Sequence, residues 1–143
     1  MSRTIGKYLK FLKDRRGTAF VEFGLLASIF FLVIVGIVDF GRMMWLSNSV
    51  EHAATEGARY AALRGVGKPT VATKQEIEDF ARARITLIPT GDMTVKVSWT
   101  PTNNNNPGSS VTVQVTYNYE YLLVGFLGFD PVDLQGTSTM IIN

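Results

Sequence analysis

The sequence predicts an α+β chain, with a long N-terminal transmembrane stalk helix followed by a small head of one amphipathic helix and a three-stranded antiparallel sheet. Three observations carry this expectation. Residues 19–38 form an apolar run whose only charge is Glu22, residues 39–64 continue without proline and keep small or apolar side chains at three-to-four spacing, and from Met93 onward the period changes to two.

The run from Ala19 to Val38 is long enough, at about 1.5 Å per residue, to cross the roughly 30 Å hydrocarbon layer of a bilayer. Phe20, Val21, Phe23, Leu25, Leu26, Ile29, Phe30 and Phe31 fall on every helical face, so no polar stripe marks a soluble surface helix. A fully buried helix of a soluble domain is the alternative, and the hundred or so remaining residues are too few to surround one. A cleaved secretory signal is a poor fit, because the apolar region exceeds the usual 7–15 residues and its exit, Val38-Asp39-Phe40-Gly41-Arg42-Met43-Met44-Trp45, offers no small-x-small site.

One continuous helix is expected over 18–64. Its outer half gathers Val50, Ala53, Ala54, Gly57, Ala58, Ala61 and Ala62 on one flank, and Ala53, Gly57 and Ala61 at four-residue spacing permit close approach of another backbone. That flank suits either the chain's own head or a neighbouring subunit. Gly65-Val66-Gly67-Lys68-Pro69 ends the helix, and Thr73-Lys74-Gln75-Glu76 has capping-box spacing for a second, amphipathic one carrying Ile77, Phe80, Ala81, Ile85 and Ile88 on one face up to Pro89.

Met93, Val95, Val97 and Trp99 then alternate with Thr94, Lys96, Ser98 and Thr100, and Val111, Val113, Val115, Tyr117, Tyr119 and Tyr121 alternate with Thr112, Gln114, Thr116, Asn118 and Glu120. Pro101 to Gly108, with four consecutive asparagines, makes the long polar loop of this hairpin. A third strand with weaker alternation is expected over 132–142. The apolar connector Leu122 to Phe129 either folds over the sheet as core or stands exposed as a contact patch.

Charge is distributed unevenly. Residues 1–17 hold Arg3, Lys7, Lys10, Lys13, Arg15 and Arg16 against Asp14, whereas residues 18–143 hold eight basic side chains against eleven acidic ones, so a +5 leader precedes a −3 body. A basic flank of this kind stays on the cytoplasmic side, which predicts a single-pass topology with the N-terminus inside and the head outside the cytoplasm. The body's negative balance excludes a nucleic-acid partner. Without cysteine the head has no disulfide and no lipoprotein anchor. The expected organisation is a basic cytoplasmic leader at 1–17, a hydrophobic transmembrane and stalk helix at 18–64, and an extracytoplasmic α+β head at 65–143.

Nothing in the residues assembles a catalytic centre. The single histidine, His52, sits beside Glu51 on the stalk, no glycine-rich phosphate loop follows a strand, and no His/Cys cluster offers a metal site. No catalytic residue, metal, cofactor or small-molecule substrate is expected. Asp39 and Arg42, three apart at the outer end of the span, are spaced for an interfacial ion pair that anchors the helix.

Glu22 is the residue that needs an explanation, because a carboxylate at the centre of a membrane helix costs about 2.5 to 3.5 kcal/mol on insertion scales. It can be protonated or reach toward the cytoplasmic interface, or it can face a polar group on an unrelated membrane partner. A third reading uses the whole string: cleavage after Gly17 would place a new ammonium on Thr18, four residues from Glu22, and the amine of one subunit would neutralise Glu22 of its neighbour and fix the stagger between stalks.

The stretch Arg15-Arg16-Gly17-Thr18-Ala19-Phe20-Val21-Glu22-Phe23 resembles the opening of the TadE-like proteins, minor pilins or pseudopilins of the tight-adherence (Flp) pilus system, with Gly17, four residues, then Glu22-Phe23. Gly36, Gly41 and Ala53-Ala54-Thr55-Glu56-Gly57-Ala58-Arg59 are similar to the continuation of that pattern along the stalk. The resemblance implies a non-enzymatic structural subunit, cleaved between Gly17 and Thr18 by a prepilin peptidase, with Glu22 and Phe23 serving peptidase recognition or assembly. Its implied partners are the inner membrane, the peptidase, other pilin-like subunits and the pilus assembly machinery, and its implied role is in pilus assembly and adhesion. The chain departs from the family at Ser28, where many relatives carry proline, and at Gly24, where alanine is usual; loss of the proline removes a kink. The alternative is an unprocessed single-pass protein whose periplasmic head binds a ligand or envelope partner.

Overall fold

The computed structural model describes residues 15–85, 93–102, 104–122, 125, 128 and 130–143. The leader up to residue 14, Ile88, Pro89 and Gly91, Asn103, and Leu123, Val124, Phe126, Leu127 and Phe129 of the connector lie outside the described residues. The elements are helix α1 (Arg15–Ala62), helix α2 (Lys74–Ala83) and strands β1 (Met93–Thr100), β2 (Ser110–Tyr119) and β3 (Val132–Ile141). This is the α+β class expected from the sequence, with an antiparallel three-stranded sheet in the order β1-β2-β3.

The chain divides into two compact units, Met1–Val38 and Asp39–Asn143. In the first, helix α1 is already formed at Arg15, three residues before the expected start, since nothing at Arg15, Arg16 or Gly17 breaks it. Hydroxyls within α1 are satisfied by the preceding turn: Ser28 Oγ donates to the Gly24 carbonyl at 2.8 Å, and Ser49 Oγ and Thr55 Oγ1 donate to the Trp45 and Glu51 carbonyls. Apart from the half-buried Val35, the large apolar side chains of residues 20–38 are exposed, Phe20 by 80 % and Phe31 by 63 %.

In the second unit the outer half of α1 lies along the sheet. Leu46, Val50, Ala53, Ala54, Ala58, Ala61 and Ala62 are buried, together with Ile77 and Ala81 of α2 and the inward residues of the strands. The alternation read from β1 and β2 holds: Met93, Val95 and Val97, then Val111, Val113, Val115, Tyr117 and Tyr119, face the core. The opposite face is solvated and rich in threonine, with the Thr112 and Thr139 hydroxyls 2.8 Å apart across neighbouring strands.

Strand β3 alternates weakly for a physical reason. Its inward positions are Leu134, Gly136, Ser138 and Met140, and at Gly136 the backbone of α1 is so close that a Cβ would stand 2.6 Å from Glu51 Cα and 2.7 Å from the Val50 carbonyl oxygen. Gly57 has the complementary part on the helix: a Cβ there would meet Ala81 Cβ at 3.1 Å and Val113 Cγ1 at 3.2 Å, so α1, α2 and β2 converge on it.

Helix α1 ends at Ala62, two residues before the expected limit, and Leu63 and Arg64 close its last turn onto Arg59 and Ala61. The capping box at α2 is present: Glu76 N–H donates to Thr73 Oγ1 at 3.3 Å, and Thr73 N–H donates to Glu76 Oε2 at 2.8 Å. The helix stops at Ala83 with Arg84 as C-cap, while Ile85 beyond it is still buried. Strand β2 stops at Tyr119, and Tyr121 leaves the ladder to pack its ring edge-on to Tyr119 at 5.4 Å.

Candidate functional site

Thr18, Glu22 and Phe23 lie on α1 within the first unit, all exposed, and Gly17 on the same helix is surrounded by open space. Helical geometry puts Thr18 and Glu22 one turn apart on one side. Glu22 is thus held on a helix in a segment whose apolar surface is left uncovered by the described residues of its unit. Gly24, Gly36 and Gly41 have equally open surroundings. One described helix, within Gly17–Ala62, is long and apolar enough to cross a membrane, and none of its most apolar window is buried by the chain itself. By length and composition that helix is a candidate membrane span, the one such helix among the described residues, which supports a single-pass membrane protein.

Ala53, Gly57 and Ala61 are buried against the sheet and α2 of their own unit. Their small side chains are what allow the helix to approach β2 and β3 so closely, a contact a larger residue at Gly57 would wedge apart.

A polar cluster that the sequence reading did not foresee stands where the second unit begins. Asp39 is 3 % exposed; its Oδ1 accepts the Leu122 N–H at 3.2 Å, and its carbonyl accepts the Tyr119 hydroxyl at 3.3 Å. Arg42, one helical turn on, brings its guanidinium to 5.6 Å from the Tyr119 ring centroid. Burial pushes the Tyr119 hydroxyl above its usual range, the Asp39 carboxylate adds to this, and Arg42 opposes it. The signal available in the sequence was an aspartate at the mouth of an apolar span together with Tyr119 and Tyr121 at the end of a strand. The cluster fastens the exit of β2 to the start of the outer helix, beyond the interfacial anchoring expected of Asp39 and Arg42.

His52 and Glu51 are both exposed, and among the described residues no group of three or more His, Cys, Asp or Glu side chains is placed to hold a metal ion. Leu122, the first connector residue, is 53 % exposed.

The family model described as TadE-like protein matches residues 17–59. The match begins at Gly17, covers Thr18, Glu22 and Phe23, and ends with the Ala53-to-Arg59 string on the outer helix. Over that stretch the chain is similar to TadE-like proteins, as its opening motif led us to expect. No curated protein and no solved structure matches the chain.

Proposed function

We propose that this chain is a structural, non-enzymatic subunit of a Tad/Flp-type pilus, a minor pilin or pseudopilin. It enters the bacterial inner membrane with its basic leader inside and its head in the periplasm, loses residues 1–17 to a prepilin peptidase, and joins other pilin-like subunits in assembly and in the adhesion of the finished apparatus. The bare apolar part of the helix, up to residue 38, supplies the lateral contacts, and residues 39–143, which bury the outer half of the helix, the exposed surface.

The observation that carries this reading is the start of the TadE-like match at Gly17, immediately before the expected cut, on a helix whose apolar surface is bare through residue 38. A chain that spent its life as an isolated anchor would need the apolar surface but not a Gly17-Thr18 junction with Glu22 one turn away. After cleavage the Thr18 ammonium offers that carboxylate a partner of opposite charge, worth most where water is scarce.

The test is the N-terminal residue of protein isolated from native membranes with the peptidase present. Mass spectrometry is expected to find Thr18 first, and Met1 or Ser2 would overturn the reading. Gly17→Val should leave the leader attached; because a Cβ at Gly17 meets nothing within 4 Å, that variant probes peptidase recognition and not packing.

A further inference from the structure

The head unit has two ends of opposite charge. At the end where α1 terminates, Ser110 pairs with Ile141, Val66 N–H donates to the Asn105 carbonyl at 2.8 Å, and a hollow of about 330 Å³ opens between the last turns of α1, the turn after it and α2. Its polar walls are Arg59, Arg64 and Lys68 with Glu56 opposing them, and its floor is Tyr60 and Phe80. The two rings stack at 4.1 Å, with the Arg64 guanidinium 3.8 Å over Tyr60 and the Arg84 guanidinium 4.4 Å over Phe80. Glu56 reaches Arg59 only at 4.0 Å, and Glu76, the carboxylate near Arg64, has an oxygen committed to the Thr73 N–H. Among the described residues neither Arg64 nor Lys68 has an ion-pair partner.

At the other end, Tyr119 pairs with Val132, and Glu120, Asp130 and Asp133 are all exposed around the exit of β2 and the entry of β3. Asp133 Oδ1 accepts from Asn118 Nδ2 at 2.8 Å, which fixes that carboxylate on the rim. Arg42, near this end, is drawn inward over Tyr119, so the described residues of the rim are acidic.

We propose that the Arg59/Arg64/Lys68 hollow is a docking socket for the Glu120/Asp130/Asp133 end of a second copy of this chain. The two ends are separated by the outer helix from Asp39 to Ala62, about 35 Å at 1.5 Å per residue, so a copy's own acidic rim does not reach its own socket. The Arg64 guanidinium, positioned by its contact with Tyr60, suits a carboxylate, which a guanidinium takes up through paired N–H donors, and Arg59 and Lys68 add positive charge beside it. Because the two surfaces differ and sit at opposite ends of one body, the contact is heterologous and repeats from copy to copy without closing, the geometry of a longitudinal row. The inference does not depend on cleavage after Gly17.

The chain has no cysteine, so introduced thiols report unambiguously. The full-length double variant Thr70→Cys/Val132→Cys carries one thiol at the socket and one on the acidic rim. Purified in detergent and treated with a short bismaleimide at low ionic strength, it is expected to give a ladder of dimers, trimers and larger species. Each single variant alone should stay monomeric, and a mixture of the two singles should give dimers containing one of each. Adding Arg64→Glu and Lys68→Glu should lower the dimer yield by about tenfold, the scale of one lost charge-assisted contact. Adding Asp130→Lys and Asp133→Lys to that variant should restore the ladder. Circular dichroism melts matching the parent chain confirm that the charge variants are folded. Absence of a ladder, a ladder indifferent to charge reversal, or dimers formed chiefly by Thr70→Cys alone would each overturn the proposal. The native N-terminal residue is read separately, so failure here and failure of the pilin reading are distinguishable.

Discussion

Two residues show how closely the head is fitted together. Gly136 is the point where β3 touches the backbone of α1, with Glu51 Cα and the Val50 carbonyl where a side chain would begin. Backbone atoms do not swing aside as a side-chain terminus does. Gly136→Val is therefore expected to destabilise the head by about 1 to 3 kcal/mol or more, the range typical of overpacking, and to appear as a lower melting temperature in the full chain while the bare segment of α1 keeps its helical signal. Tyr119, fully buried, donates from its hydroxyl to the Asp39 carbonyl and is an acid whose folded pKa is raised, so the folded state holds its proton longer than the unfolded chain does. The sign follows: its contribution is fully present below the ordinary tyrosine value of about 10 and is lost as pH rises toward the higher folded value. Wild-type stability should fall through this alkaline window, and Tyr119→Phe should flatten that part of the profile at the expense of a lower plateau. An unchanged alkaline slope in Tyr119→Phe, measured by chemical denaturation across pH, would assign the effect to another group.

Among the elements, α2 depends most on local chemistry, since only Ile77 and Ala81 of its ten residues are buried. Its start rests on Thr73 and Glu76 satisfying each other's backbone N–H groups. Thr73→Ala should cost roughly 1 kcal/mol, and hydrogen exchange should accelerate first at the amides of Glu76 and Ile77. The Glu76 carboxyl sits below its usual range, chiefly because it accepts the Thr73 N–H, so the cap stabilises above the unfolded carboxylate value and is lost as pH falls through the lower folded one. Acid exchange profiles of wild type and Glu76→Ala should converge at the low end, where the wild-type carboxyl is protonated, whereas Thr73→Ala keeps the backbone N–H that Glu76 accepts and should stay offset from wild type. This cap, the two hairpin strands and the long helix were legible in the sequence because each is written in local periodicity or spacing. The Asp39 cluster was not, because Asp39 and Tyr119 are eighty positions apart and nothing local pairs them. Gly136 carried half a signal, a glycine within a strand, which marks close backbone approach without naming what approaches. Ser28 donates its hydroxyl to the Gly24 carbonyl, a backbone contact that any residue at position 24 would offer, and nothing in the structure explains the glycine there.

For the whole molecule the decisive asymmetry is between a unit that buries its apolar residues and one that does not. Residues 39–143 close over a core, whereas Phe20 to Val38 leave almost every large apolar side chain outward, a surface that lipid or other helices must cover. Lipid tails are as apolar as leucine and give two such helices little reason to choose a register, so register has to come from a group that lipid cannot satisfy. Glu22 is the charged group in that run. Replacing it separates the two demands: Glu22→Ala removes a polar group and should insert as well as wild type or better, gaining up to about 3 kcal/mol if the carboxylate lay deep and less if it lay near the interface. With the cleavage after Gly17 that we propose, assembly should move the opposite way, because the Thr18 ammonium that cleavage would create on a neighbour would then have no counter-charge and competing staggers would become equivalent. The measurement is paired, membrane-fraction abundance of the chain against pilus yield in the same cells. Undiminished piliation with normal abundance would remove Glu22 from the register role, and reduced abundance would show that its carboxylate serves insertion instead.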